Sequence, residues 1–291
     1  MSQAAALRSR AEDLARNLPA LMADAEHLAA TVMLGAHGRR RAGLGDEFWQ
    51  YRAAAPGDPA RLIDWRRSAR SDASFVQEKE WQAAQSVILW VDAGQSMGFT
   101  SDKGVPSKAD RARLLALAIA ILLIRGGERV ALSSLGGPPR QGEIQLSRIA
   151  NGLCDLGENA EYGAPNLLGM LASSRALFVS DFLGDISELT AQLTQAADRG
   201  IKGALLQVLD PQEEAFPFDG RTIFESMGRS VRHETLKAGD LRTRYLDRLA
   251  ERKDALATLA RRTGWQYSCH HTSETGQAAL LWLYGALERA H

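Results

Sequence analysis

Residues 114–124 read Leu-Leu-Ala-Leu-Ala-Ile-Ala-Ile-Leu-Leu-Ile, eleven apolar residues without interruption. No other stretch limits so strongly what this chain can fold into. The run is too short for a bilayer, which takes about 20 residues. Ser107 and Asp110 precede it with capping-box-like spacing, and Arg125-Gly126-Gly127 closes it, so the pattern predicts one helix. A helix that is apolar all round must be buried, which puts this one at the centre of a sheet face.

The strands for that sheet are legible as short apolar runs. Ser86–Val91, Arg129–Leu135, Ala176–Ser180, Ala204–Leu209 and Trp265–His271 each have strand length. Helical stretches lie between them. One runs from Asp185 to Arg199-Gly200, a long charged one from Asp240 to Thr263 with Gly264 as its stop, and a last one from Gln277 to Leu287. After Arg129–Leu135 a Gly-Gly-Pro-Pro turn predicts a partner strand around Glu143–Leu146, then a helix over Ser147–Leu156. Repeated strand–helix units predict an α/β fold, a doubly wound, mostly parallel sheet with helices on both faces.

Three segments follow. Residues 1–34 form an N-terminal helical segment, with Leu14, Leu18, Leu21, Met22, Ala25 and Leu28 on one stripe broken near Pro19. Residues 35–83 form a small β/loop segment rich in Arg and aromatics, and 84–291 the α/β domain, with a hairpin insertion near 220–236 turning at Gly228.

Composition narrows the class. The 291 residues carry 35 Lys plus Arg against 35 Asp plus Glu, which excludes a globally basic nucleic-acid binder and an acidic solvating chain. Cys154 and Cys269 are too few for a disulfide framework and read as two reduced thiols. The N-terminus lacks a basic-then-apolar signal pattern, so the expected location is the cytoplasm, with no membrane span.

In open α/β sheets the ligand site lies beyond the carboxyl ends of the strands. Three predicted strands end in Asp: Asp92, Asp181 and Asp210. Such carboxylates are hard ligands suited to a divalent cation, though an Asp in this position also caps helices and shapes turns. Motifs of common enzymes are missing from the sequence: it has no Walker loop, no Gly-x-Gly-x-x-Gly, no Gly-x-Ser-x-Gly and no His-Glu-x-x-His. His270 and His271 fall on a predicted strand and face opposite sides, so they are poor joint ligands.

The loop Asp92-Ala93-Gly94-Gln95-Ser96-Met97 resembles the Asp-x-Ser-x-Ser loop of von Willebrand factor A-like domains, where Asp and two hydroxyls help to bind Mg2+ or Mn2+. Gly94 stands where that family has its first Ser, and Pro165, in Gly163-Ala164-Pro165-Asn166-Leu167, where it has its Thr. The resemblance therefore leaves Asp92, Ser96 and Asp181 as a degenerate metal set, with Mg2+ or Mn2+ bound weakly or absent.

A second resemblance comes from the aromatic segment. Gly43-x-Gly45-x-Glu47-Phe48, Tyr51-Arg52, Pro56-Gly57-Asp58, Arg61-x-Ile63-Asp64-Trp65-Arg66 and Ala69-Arg70 resemble the signature of the bacterial domain-of-unknown-function 58 family. Its members join this segment to a von Willebrand factor A-like domain. Their genes commonly lie beside a MoxR-type AAA+ ATPase, and no enzymatic activity is established for the family. The resemblance implies a non-enzymatic adaptor working with such an ATPase or its client in protein assembly or remodelling. Its strand-end loops, with Asp92, Ser96 and Asp181, are expected to bind an acidic group of the partner.

Within the signature, Arg61, Arg66, Arg67 and Arg70 alternate with Asp58 and Asp64, a pattern suited to directional ion pairs beside Trp65 and Phe48. The run Arg39-Arg40-Arg41 has no nearby acid and is a second candidate partner-binding surface. Two other readings compete. One is a Mg2+-dependent phosphoryl or nucleic-acid hydrolase using Asp92, Asp181 and Asp185. The other is a single-strand nucleic-acid binder using Arg39, Arg40 and Arg41.

Overall fold

Five parallel strands in the order β4-β3-β5-β6-β9 carry the larger part of the chain. The computed structural model describes residues 20–32, 42–55, 58–60, 63–70, 73–80, 84–157, 160–166, 170–229 and 232–289. Arg39, Arg40, Arg41 and Arg61 lie outside the described residues. The elements in chain order are α1 (20–32), β1 (Ala42–Ala53), α2 (Trp65–Ser68), β2 (Phe75–Glu80), β3 (Ser86–Val91), α3 (Lys108–Arg125), β4 (Arg129–Leu132), α4 (Glu143–Cys154) and β5 (Arg175–Ser180). They continue with α5 (Ile186–Asp198), β6 (Lys202–Leu209), α6 (Pro211–Ala215), β7 (Thr222–Glu225), β8 (Arg232–Thr235), α7 (Gly239–Thr263), β9 (Gln266–His271) and α8 (Gly276–Arg289). The chain divides into two units, Gly35–Ala84 and the remainder.

In the larger unit each strand sends alternate side chains to opposite faces. Val87, Leu89, Val91, Leu177, Val179 and Leu206 meet α1, α3, α4 and α8 on one side. Ile88, Trp90, Ala176, Phe178 and Leu205 meet α5 and α7 on the other. The helix α3 begins where its cap predicts, with Ser107 Oγ accepting from the Asp110 N–H at 3.1 Å. Its residues from Leu115 to Ala120 are fully buried. Each Leu or Ile buried there contributes about 1.5–3 kcal/mol, which makes α3 the anchor of that layer. Residues 20–32 pack on the same layer through Ala25 and Ala29.

The predicted strand at Glu143–Leu146 is not there. Glu143 opens α4 instead, and β4 stops at Leu132, with a 3-10 turn over Ser133–Leu135. Gly142 has φ of 89°, a left-handed turn that starts the helix early. An antiparallel bridge to β4 comes from Arg140, and Gln145 uses its side chain, donating to the Val130 carbonyl at 2.9 Å. The predicted hairpin at 221–235 forms as β7 and β8.

The smaller unit is an antiparallel pair, β1 with β2, holding the single turn α2. Asp64 caps α2, accepting from the Arg67 N–H at 3.0 Å and from the Tyr51 hydroxyl at 3.0 Å. The Arg67 guanidinium lies 4.2 Å from the Tyr51 ring centroid. The Arg67 N–H, the Tyr51 hydroxyl and the Arg67 charge hold the Asp64 carboxyl below the usual carboxylate range, and Trp65 is 62% exposed.

Candidate functional site at the carboxyl ends of the sheet

The chain leaves β3 for β4 on one side and returns to β5 on the other, so the strand order reverses between β3 and β5. A crevice opens at such a reversal. Asp92 follows β3 and Asp181 follows β5, which brings two of the expected site residues to adjacent strand ends.

Asp92 is buried, and protein donors hold both of its oxygens. Oδ1 accepts from the Gly94 N–H at 2.7 Å and the Gly163 N–H at 3.0 Å, while Oδ2 accepts from Ser180 Oγ at 2.6 Å. Ser180 Oγ in turn accepts from the Phe182 N–H at 2.9 Å. Burial lifts the Asp92 carboxyl above the usual carboxylate range; these donors oppose the shift and the Asp181 charge reinforces it.

The segment around Gly163 lies directly on the Asp92 loop. Gln95 N–H donates to the Ala160 carbonyl and Ser96 N–H to the Glu161 carbonyl, both at 2.9 Å. A Cβ at Gly94 would stand 2.7 Å from the Gly163 nitrogen, so backbone occupies the place where the resemblance has a hydroxyl. Pro165, at the other missing hydroxyl, lines a cavity of about 330 Å³ beside Asp92 and Asp185.

Asp181 has a different partner. Its Oδ2 accepts from Lys108 Nζ at 2.8 Å, and Lys108 donates also to Glu213 Oε1 at 2.6 Å. Lys108 is 1% exposed, and burial alone would lower its pKa. The two carboxylates outweigh burial and hold the ammonium above its ordinary value. Burial raises the Glu213 carboxyl despite the lysine beside it.

Asp210, the third strand-end acid, is a helix cap. It accepts from the Gln212 N–H at 2.8 Å, and Glu213 Oε2 accepts in turn from the Asp210 N–H at 2.9 Å, completing a capping box over Pro211. That box aims Glu213 at Lys108. Asp185 likewise caps α5, accepting from the Ser187 N–H at 2.9 Å.

Ser96 is 6% exposed, and its Oγ has no hydrogen-bond partner. The donor set as arranged does not fit a divalent cation. Both Asp92 oxygens are held by protein donors, an ammonium already neutralises Asp181, and Gly94 offers no hydroxyl. A divalent cation and the Lys108 ammonium would repel each other in a poorly solvated site.

Lys108 and Glu213 did not stand out as site residues in the sequence. A signal was present: a lysine in the first turn of a helix opposes the macrodipole and calls for a carboxylate partner. The Asp-Pro-x-Glu spacing of residues 210–213 is also a cap signature.

A separate cluster lies at the end of β9, where Glu214, Cys269 and His271 bring potential ligand atoms within 4.8 Å of one another. Glu214 is paired there with Lys253 and His271, and burial pushes the Cys269 thiol up to about 11, so it is a poor nucleophile. Both cysteines are free and half-buried.

Residues 50–255 match the family described as "Protein of unknown function DUF58". The chain belongs to this family. Uncharacterized proteins of Mycobacterium tuberculosis and Mycobacterium bovis are 25% identical to it over 217 residues, covering 70% of this chain and 67% of theirs. Two solved structures are similar at lower identity. The conserved hypothetical protein BatB of Bacteroides thetaiotaomicron is 14% identical with a TM-score of 0.39. An aerotolerance-related membrane protein of Bacteroides fragilis is 13% identical with a TM-score of 0.40. Each covers 71% of this chain and is itself fully covered. Among the described residues of this DUF58 protein, no helix is long and apolar enough to cross a membrane.

Proposed function

We propose that this protein is a non-enzymatic interaction module, a von Willebrand factor A-like domain whose strand-end face works without a metal ion and engages a MoxR-type AAA+ ATPase or its client. The observation that carries the reading is the Lys108 ammonium, held between Asp181 and Glu213 at 2.8 and 2.6 Å. A lysine in that position supplies internally the positive charge that a divalent ion supplies in an intact site. It leaves the strand-end carboxylates as structural groups rather than as reactive ones. A Mg2+-dependent hydrolase needs acids free to hold the ion and to activate water, whereas Asp92, Asp181 and Asp185 are all held by protein donors. The ATPase as partner rests on the family resemblance.

The test is affinity capture from a lysate of the source cell with three baits: wild type, a Tyr162→Ala/Met227→Ala variant on the strand-end face, and a Leu281→Gln variant on α8. Tyr162, Met227 and Leu281 are all well exposed, so the substitutions leave the core intact. The expected result is an AAA+ ATPase recovered with wild type and with the α8 variant, and lost with the face variant. Equal recovery with all three, or no ATPase with any, overturns the assignment.

A further inference from the structure

A second cavity on the strand-end face, of about 220 Å³, lies beside the one next to Asp92. Small-molecule sites are usually larger, roughly 300–1,000 Å³, so this volume suits one side chain better than a cofactor.

Its walls are aromatic. Phe216 is packed against Phe218, Phe224 and Tyr245 with centroid separations of 5.3, 5.6 and 4.8 Å. Phe216 itself has φ of 42°, a left-handed conformation that a bulky residue adopts only under tertiary constraint. Burial pushes the Tyr245 phenol up, so this wall is neutral.

The charges on the lining are uneven. Among the described residues Glu161, Glu213 and Glu225 face it against one ammonium, Lys108, which is already paired with Glu213 and Asp181, and Glu161 Oε2 accepts from the Gly228 N–H at 2.7 Å. An excess of carboxylate inside an aromatic enclosure attracts organic cations and repels acids.

Ser96 supplies the independent sign of a ligand. It lines the same cavity, is more than nine-tenths buried, and its hydroxyl has no partner. Buried hydroxyls are almost always satisfied, and one left open at a cavity wall marks the place for an incoming polar group.

We infer that this pocket takes an arginine side chain presented by a partner protein. The strand-end face would then bind a basic group where the resemblance implied an acidic one. A guanidinium is planar, stacks on aromatic faces and forks onto carboxylates, so one group uses the ring walls, the Glu161 and Glu225 carboxylates and the Ser96 hydroxyl together. Tyr162 and Met227, each nearly half exposed, form the rim against which the partner's backbone lies. The inference rests on the reading of this face as an interaction surface and names the chemistry of what it recognises.

The test uses protein with 13C-labelled methionine methyls, since Met227 lies on the rim. Three acetylated and amidated tripeptides are titrated: Gly-Arg-Gly, Gly-Glu-Gly and Gly-Leu-Gly. The expected result is a saturable shift of the Met227 methyl with the Arg peptide alone. The dissociation constant should rise about ten-fold in each of Ser96→Ala and Phe224→Leu, the size expected for losing one good polar or cation–π contact. Saturation by the Glu peptide, equal affinity for the Leu peptide, or no saturable shift with the Arg peptide overturns the inference. The titration needs no ATPase. Arg-peptide binding without ATPase capture therefore overturns only the partner assignment, and capture without Arg-peptide binding overturns only the pocket's occupant.

Discussion

Nζ of Lys108 lies 2.8 Å from Oδ2 of Asp181, and both side chains are 1% exposed. The two residues are 73 positions apart in the chain, one at the start of the buried helix α3 and the other at the end of a central strand. Their meeting at the reversal of strand order places a fixed ammonium beside the strand-end carboxylates.

A buried ammonium between two carboxylates is costly to break from one side. Lys108→Met leaves Asp181 and Glu213 without compensation and is expected to destabilise the fold by about 3–5 kcal/mol. Adding Asp181→Asn and Glu213→Gln to that variant should recover most of the loss, because no uncompensated charge then remains. Urea unfolding of the wild type, the single variant and the triple variant measures both changes. A single variant as stable as wild type would contradict the pairing.

Gly94 tests why the loop departs from the pattern it resembles. Its missing Cβ faces the Gly163 nitrogen at 2.7 Å and the Glu161 carbonyl oxygen at 2.9 Å, both of them backbone atoms that cannot swing aside. Gly94→Ser is therefore expected to cost about 1–3 kcal/mol by overpacking and to loosen the 160–163 segment. Hydrogen exchange of the Gln95 and Ser96 amides, which donate to Ala160 and Glu161, should speed up in the variant. Unchanged exchange and stability would show that the segment does not press on Gly94.

Much of the α/β unit could be read from local signals, and the site could not. The strands announce themselves as apolar runs, and the stops at Gly200 and Gly264 sit at φ of 67° and 72°, where glycine is favoured. Glu143–Leu146 was misleading because it opens as a helix at the left-handed Gly142, with Gln145 reaching to Val130, and neither feature shows in the Gly-Gly-Pro-Pro turn that predicts a partner strand. Asp92 and Asp181 were found because they follow strand ends, and Ser96 through the resemblance of its loop. Lys108, Ser180, Gly163 and Glu213, which hold the two aspartates directly or through Lys108, lie on four different segments, and only the order of strands in the sheet decides that they meet.

His270 gives the stability a pH dependence. Burial, followed by the nearby Arg111, pushes its imidazole down to about 4, and Glu274 at 3.3 Å opposes the shift. The unfolded chain, with an ordinary value of 6.5, then binds more protons than the folded one between about pH 6.5 and 4. Stability is present in full above that window and falls as pH drops through it, by about 3 kcal/mol from this group. Unfolding free energy measured from pH 7.5 to 4.5 should slope less in His270→Gln than in wild type. Identical slopes would remove His270 as the cause.

The central claim is that Lys108 takes the place of a divalent ion, so the strand-end face holds no metal. Its most direct test is a titration of Mn2+ into the purified protein, following free Mn2+ by electron paramagnetic resonance. The account predicts no stoichiometric uptake by the wild type. Uptake of one ion per chain, abolished by Asp92→Asn, would contradict it.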